Sequence, residues 1–357
     1  MPVQPPPRQA DSEMDMHRPV MNPLPAAIDA SPPPLRDGVW RRLVRALVGL
    51  AMLDISLRPR AARLRVEDAP LYQRAMRGLL YRLLLVPVLV CAMPAITVWV
   101  GTHPEALVDG SAEPFSPGFH CEEVSFQSAD GTALRGWIIP VVEARAVVEQ
   151  GERALRGQHP AVVLVHGHAA RPEQLLPLAG PLHKAGFVVM ITCLRGSADT
   201  AKASTFGVRE ADDVQAAVET VAALRSVDPQ RIAVLGVGTG ANAAVLAAER
   251  RAPIAALVLE NPVMDLREMV MQHIGLPQEW LRLLRPMTRW MFELAYRVNI
   301  DEAEIPRCRT AMSDRPVLVL NSSTGGGSVF RRHGLAQVRT FLSQHLKPSA
   351  AVATTEE

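Results

Sequence analysis

The sequence predicts an α/β fold: an open, mostly parallel sheet with helices on both faces, preceded by an N-terminal transmembrane helix. Three observations lead there. From about Phe119 onward, short uninterrupted apolar runs alternate with helical stretches, the order expected of repeated strand–helix units. A turn signal, Ala129-Asp130-Gly131, joins two strand-like segments where that region opens, which reads as a hairpin. Ahead of both, Leu83 to Val100 is an uncharged run of eighteen residues, extended by Gly101 and Thr102.

Composition narrows the field. In 357 residues, 48% are hydrophobic and 21% charged, enough apolar material for a real core. A formal net charge of +2 argues against nucleic acid as a partner of the whole chain. Four scattered cysteines, without CxxC or His-rich spacing, speak against a disulfide scaffold or a zinc ribbon. A bridge between Cys121 and Cys308 stays open outside the cytoplasm, and Cys193, at the end of a strand, reads as a small buried residue.

Taken in order, residues 1–36 are Pro-rich, with Pro5-Pro6-Pro7 and Pro32-Pro33-Pro34 and few large apolar side chains. Such a segment has little to pack and is expected to be a disordered tail. Residues 37–82 form an Arg-rich juxtamembrane segment in which Trp40 to Ile55 carries the pattern of an amphipathic helix. Residues 83–102 come next as the span. At a rise of about 1.5 Å per residue, about 20 apolar residues cross a bilayer. Pro87 and Pro94 are tolerated in membrane helices, whereas they would badly damage the helix of a soluble core.

The flanks give an orientation. Eleven Arg face four acids between Arg36 and Arg82, and no Lys or Arg recurs until Arg135. The positive-inside rule then keeps the N-terminus cytoplasmic and translocates the chain beyond Thr102, a single-pass signal-anchor pattern with an extracytoplasmic main domain.

Residues 119–346 form that domain, and 347–357 a disordered tail. Its hairpin, Glu123–Phe126 with Leu134–Pro140, is followed by apolar runs at Ala161–Val165, Phe187–Thr192, Ile232–Leu235, Ala256–Leu259 and Pro316–Leu320. Runs apolar on both faces suit a parallel sheet covered on both sides. Helices are expected at Glu210–Leu224, Ala241–Arg250 and Leu335–Leu346. A helical insert, Leu266–Arg297, carries Trp280, Met287, Trp290 and Met291, as a lid, a partner surface or plain core packing would.

Ligands of open α/β sheets meet the loops at the carboxyl ends of the strands. Three such loops stand out: His166-Gly167-His168-Ala169-Ala170, Leu194-Arg195-Gly196-Ser197-Ala198-Asp199 and Gly236-Val237-Gly238-Thr239-Gly240. In order and spacing they make Phe119 to Leu346 similar to the α/β-hydrolase superfamily, particularly its serine-peptidase-like and esterase-like branch. His166-Gly167, with His168, resembles that family's oxyanion loop. Leu194-Arg195-Gly196-Ser197 resembles its RGxG turn, and Gly207 with Glu210 and Asp213 the entry to the helix before the elbow.

The departures matter as much as the resemblance. A nucleophile elbow reads G-x-S-x-G, but Gly238 stands in the serine's place and has nothing to attack with. Thr239 is the next residue, where the resemblance implies a backbone amide of the oxyanion hole. The triad acid is absent: Asn321 to Gly327 contains no carboxylate, nor does any residue from Arg315 to Thr355. Glu260 and Asp265 are substitute acids, the latter more simply a helix cap. His333 stands before the last helix as a residual base with no nucleophile to activate.

The resulting expectation is a membrane-anchored pseudohydrolase that binds or scaffolds an unidentified small-molecule or protein ligand, with no cofactor and no metal. One alternative is an active esterase or peptidase with an unorthodox nucleophile, Thr239 or Ser197, and His333. The other reads Gly236-x-Gly238-x-x-Ala241, with Glu260 ending the next strand, as a glycine loop for a nucleotide or S-adenosylmethionine.

Overall fold

Val, Ile and Leu dominate the central apolar runs, and β-branched side chains suit a pleated surface packed on both faces. In the computed structural model they form one sheet. The structure describes residues 71–103, 121–141, 159–197, 202–274, 283–321, 330 and 332–346.

Among these residues the sheet has seven strands: β1 (Glu122–Gln127), β2 (Ala133–Ile139), β3 (His159–Val165), β4 (Val188–Thr192), β5 (Val227–Val237), β6 (Ala256–Glu260) and β7 (Val317–Leu320). Their spatial order is β1-β2-β4-β3-β5-β6-β7. The β1–β2 hairpin is antiparallel, β2 runs antiparallel to β4, and all other pairs are parallel. β5 begins five residues before the expected Ile232, because Val227 already pairs with His159 ahead of an irregularity in the ladder.

The helices are α1 (Leu71–Thr102), α2 (Leu176–Lys184), α3 (Glu210–Ala222), α4 (Thr239–Glu249), α5 (Leu266–Ile274), α6 (Arg285–Tyr296), α7 (Arg309–Ser313) and α8 (Arg332–Leu346). One face of the sheet packs Val163, Val165 and Met190 against Val214 and Val218 of α3, Ala244 and Val245 of α4, and Val270 of α5. The other packs Val162, Leu164 and Val189 against Leu178 and Leu182 of α2 and Val338 and Leu342 of α8. Each alternate side chain of a strand thus enters one of two separate cores.

Two expected boundaries move. α1 starts at Leu71, so Arg74, Arg77 and Arg82 belong to the same helix as the apolar run rather than to a separate juxtamembrane element. Arg is a good helix former, and only Gly78 weakens the stretch between. The helix also continues unbroken through Pro87 and Pro94. His333 lies inside the first turn of α8, not ahead of it. The amphipathic pattern at Trp40–Ile55, both expected tails and Trp280 fall outside the described residues.

Within α1, Leu83–Thr102 is long and apolar enough to cross a membrane by length and composition. Leu83, Leu84, Val86 and Val88 are exposed. Toward its C-terminus one face turns inward: Pro94, Thr97, Val98, Gly101 and Thr102 are buried, against α5 and α6.

Candidate functional site

β5 ends in the third of the loops singled out above, and the chain turns sharply into α4 at Gly238. Its backbone sits at φ +57° and ψ −123°, a region that costs any residue with a Cβ roughly 1–3 kcal/mol. The turn is pinned from two sides: Gly238 N–H donates to the Glu260 carbonyl at 2.9 Å, and Ala241 N–H donates to the Gly238 carbonyl at 3.0 Å. A Cβ built on Gly238 would meet nothing within 4 Å. The geometry of an elbow is present, with open space where its side chain would stand.

The His166–Ala170 loop arrives beside it from β3. His166 is buried; its Nε2 accepts the Leu194 N–H at 3.2 Å and its Nδ1 lies 2.8 Å from the Gly167 carbonyl. Burial pulls its pKa below the ordinary value, against the opposing pull of the Gly167 carbonyl and Asp213. The ring is therefore a neutral brace between two loops. His168 places its backbone N–H on Thr239 Oγ1 at 2.6 Å. That amide lies where the resemblance implies an oxyanion donor, and the side chain of Thr239 already occupies it.

The His168 ring packs on Phe206, with centroids 4.3 Å apart, and meets the edge of His273 at 5.1 Å. It bonds the Gly101 carbonyl at the end of α1, and its Nδ1 lies 3.0 Å from Ser204 Oγ. Burial, then the neighbouring His273 and His166, pull its pKa down to about 3; burial lowers His273 as well. In the unfolded chain both rings titrate near 6.5. Their contribution to stability is therefore complete above that pH and is lost as pH falls below it, for His168 down to about 3. The expected result is a melting temperature that drops between pH 6.5 and 5, with a shallower slope in His168→Gln; thermal melts across that range check it.

Beneath these loops lies a buried ionic lattice. Arg195 Nε donates to Asp213 Oδ2 at 2.9 Å, while its Nη atoms reach Asp213 Oδ1, Asp130 Oδ2 at 2.8 Å and Ser128 Oγ at 3.1 Å. Burial raises the Asp130 carboxyl, but hydrogen bonds from Arg195 and Thr132 outweigh it and hold the group well below the usual carboxylate range. Glu210 accepts from Ser204 Oγ, Thr205 N–H, Thr205 Oγ1 and Gly207 N–H at 2.6–2.9 Å. These carboxylates are engaged in holding loops, as saturated acceptors do.

A cleft beside the elbow is lined by His166, Gly167, His168, Leu194, Arg195 and Thr239 among others, and its cavity of about 10 Å³ is water-sized. His333 does not line it; on α8 it is exposed and faces Gln337 at 3.2 Å. Asp265 caps α5 by accepting the Glu268 N–H at 2.9 Å. Glu260 is buried at the end of β6, its carbonyl on Gly238. The structure therefore brings Gly238, Thr239, Glu260 and the His166–His168 loop together, while the Asp265 carboxylate is committed to its cap and His333 to the surface of α8. Cys121, Cys193 and Cys308 are separate thiols.

The glycine loop has a packing role of its own. A Cβ on Gly240 would collide with the carbonyl of His166 and stand 2.8 Å from that of Val165. One on Gly236 would stand 2.5 Å from the Gly240 carbonyl. These glycines let α4 sit close against β3 and β5. Sequence reading missed Ser204, Phe206 and His273 as members of the site; only the Gly207–Glu210 pattern pointed toward that neighbourhood.

Comparison with known proteins agrees with this architecture. Residues 157–313 match the family described as serine aminopeptidase, S33. The uncharacterized protein Rv2307c of Mycobacterium tuberculosis is 34% identical over 164 residues, 46% of this chain and 52% of that protein. The uncharacterized protein YfhR of Escherichia coli K12 is 28% identical over 162 residues, 45% of this chain and 52% of that one. The chain spans about half the length of the curated relatives it matches. Among solved structures, the esterase Pf2001 of Pyrococcus furiosus superposes with a TM-score of 0.47 at 18% identity, over 67% of this chain and 98% of that one. With the hairpin, the parallel strands in their order and the sharp turn at Gly238, the match of residues 157–313 to that family identifies the fold of this chain as that of the α/β-hydrolases.

Proposed function

We propose that this hydrolase-fold protein binds rather than cleaves, and that residues 83–102 anchor it in a membrane with residues 119–346 on the extracytoplasmic side. The observation that carries the first part is the coupling of Gly238 to Thr239: the elbow is formed without a nucleophile, and the Thr239 hydroxyl accepts the His168 amide. Acyl transfer needs a side chain to attack and free donors aimed at the developing oxyanion. Gly238 supplies no such side chain, and of the two amides that the resemblance implies, that of His168 is taken. His333 is exposed on α8 and faces Gln337, with no carboxylate among the described residues to orient it as a base.

The anchoring reading rests on the apolar length of Leu83–Thr102 and on the Arg excess before it. The ligand of the cleft belongs to no class that its lining defines.

The purified protein treated with a fluorophosphonate and read by intact mass is expected to carry no adduct while folded. A stoichiometric adduct mapped to Thr239 or Ser197 would replace this reading with that of a working hydrolase using an unorthodox nucleophile.

A further inference from the structure

The proposed anchor does not stand clear of the domain. Leu83–Thr102 is twenty residues, a rise of about 30 Å, which equals the hydrocarbon thickness of a bilayer. The face that docks on the domain begins at Pro94 and repeats at Thr97, Val98, Gly101 and Thr102. From Pro94 to Thr102 is about 12 Å of the same rise. Thr102 Oγ1 bonds the Tyr296 hydroxyl at 2.8 Å, its carbonyl accepts the Ser204 N–H at 2.8 Å, and Gly101 packs on His273 and Ile274. If the span occupies the bilayer, α5 and α6 meet it within the depth of one leaflet.

α6 is built for such a position. Thr288, Phe292 and Tyr296, four residues apart, form the face turned toward the domain, with Thr288 and Phe292 fully buried. At about 100° per residue the opposite face is Leu283, Met287, Trp290 and Leu294, continuing back through the turn before the helix. Leu283 is 87% exposed, Trp290 61% and Leu294 59%. The flanking charges are paired, Arg285 with Glu268 and Arg289 with Glu293 and Asp301, and exposed Arg297 closes the stripe at the helix end, where a long cation suits lipid headgroups. A helix with one face in protein, an apolar stripe outside and a Trp in that stripe suits a membrane interface.

We propose that α6 lies in the plane of the bilayer interface, on the domain's side, with Leu283, Trp290 and Leu294 set into the boundary between headgroups and acyl chains. The proposal rests on the anchoring reading above and deepens it: the hydrolase-fold domain sits partly in the membrane instead of hanging from a stalk. Its cleft then stands next to lipid, because His168, whose amide meets Thr239, also bonds Gly101 at the end of the span, and His273 packs on both His168 and Gly101.

Tryptophan quenching by phosphatidylcholine brominated on its acyl chains tests this in vesicles holding the full chain. Trp99→Phe and Trp290→Phe are both conservative changes at exposed positions, and each is expected to remove a quenched component of the emission. Adding Leu294→Trp to the Trp290→Phe variant is expected to restore one. If Trp99→Phe removes quenching and Trp290→Phe does not, the span stands and the placement of α6 is overturned; a second copy or another segment covering the stripe would give this result. If neither change alters quenching, the anchor itself is wrong and the proposal falls with it.

Discussion

Asp213→Ala lowers the stability of the domain by about 3–5 kcal/mol, the cost of leaving a buried partner charge uncompensated. Asp213 is fully buried and takes both Nε and an Nη of Arg195, as well as the Arg195 backbone N–H at 3.1 Å. Removing it strands a guanidinium that is itself buried, with Asp130 at the rim as its remaining acid. For a domain of this size the loss corresponds to a fall in Tm of roughly 6–20 °C. The paired change Arg195→Met with Asp213→Leu removes both charges and is expected to recover much of the loss. Thermal melts of the three proteins check the pattern; an Asp213→Ala protein that melts like the parent would show that the lattice is not what holds the loops.

The second large effect separates two neighbouring glycines. Gly240→Ala drives a methyl into the carbonyls of His166 and Val165, which are backbone and cannot rotate away. Overpacking of that kind costs about 1–3 kcal/mol or more. The Cβ of Gly238→Ser meets no atom within 4 Å, so its main cost is the left-handed backbone. The Ser variant is therefore expected to fold and the Ala variant at 240 to melt earlier. The Ser variant is also expected to remain inert toward a fluorophosphonate, since the His168 amide is still taken by Thr239. Rapid labelling of Gly238→Ser would show that the rest of the catalytic apparatus is intact and that only the nucleophile is missing.

Much of the fold was legible because each strand is an apolar run bounded by polar loops, and the period of such runs is a local property. The hairpin, the parallel strands and the helices α3 and α4 emerge from it within a few residues. The elbow was legible as spacing, since Gly236, Gly238 and Gly240 lie within one turn. The contacts that give the site its character are not local. His168 meets Thr239 across 71 positions, and Arg195 meets Asp130 across 65. Composition carries no trace of either pairing. The start of α1 was hidden for another reason: charge marks the end of an apolar run, but it does not end a helix, and Arg continues one readily.

Asn242 has a consequence for how this domain can vary. From the buried face of α4 its side-chain amide donates to the carbonyls of Val263 and Ala303, each at 2.8 Å, and its oxygen accepts the Val263 N–H at 2.9 Å. Those two residues are the feet of the excursion that contains α5 and α6. One side chain thus clasps both ends of the excursion. Loop-closure entropy rises only slowly with length, so residues 264–302 can lengthen, shorten or be exchanged while the clasp keeps its mouth fixed. The surface that faces the outside world is in this sense a variable module, its mouth held by one amide and its underside by Val270, Ile274 and Phe292 in the core.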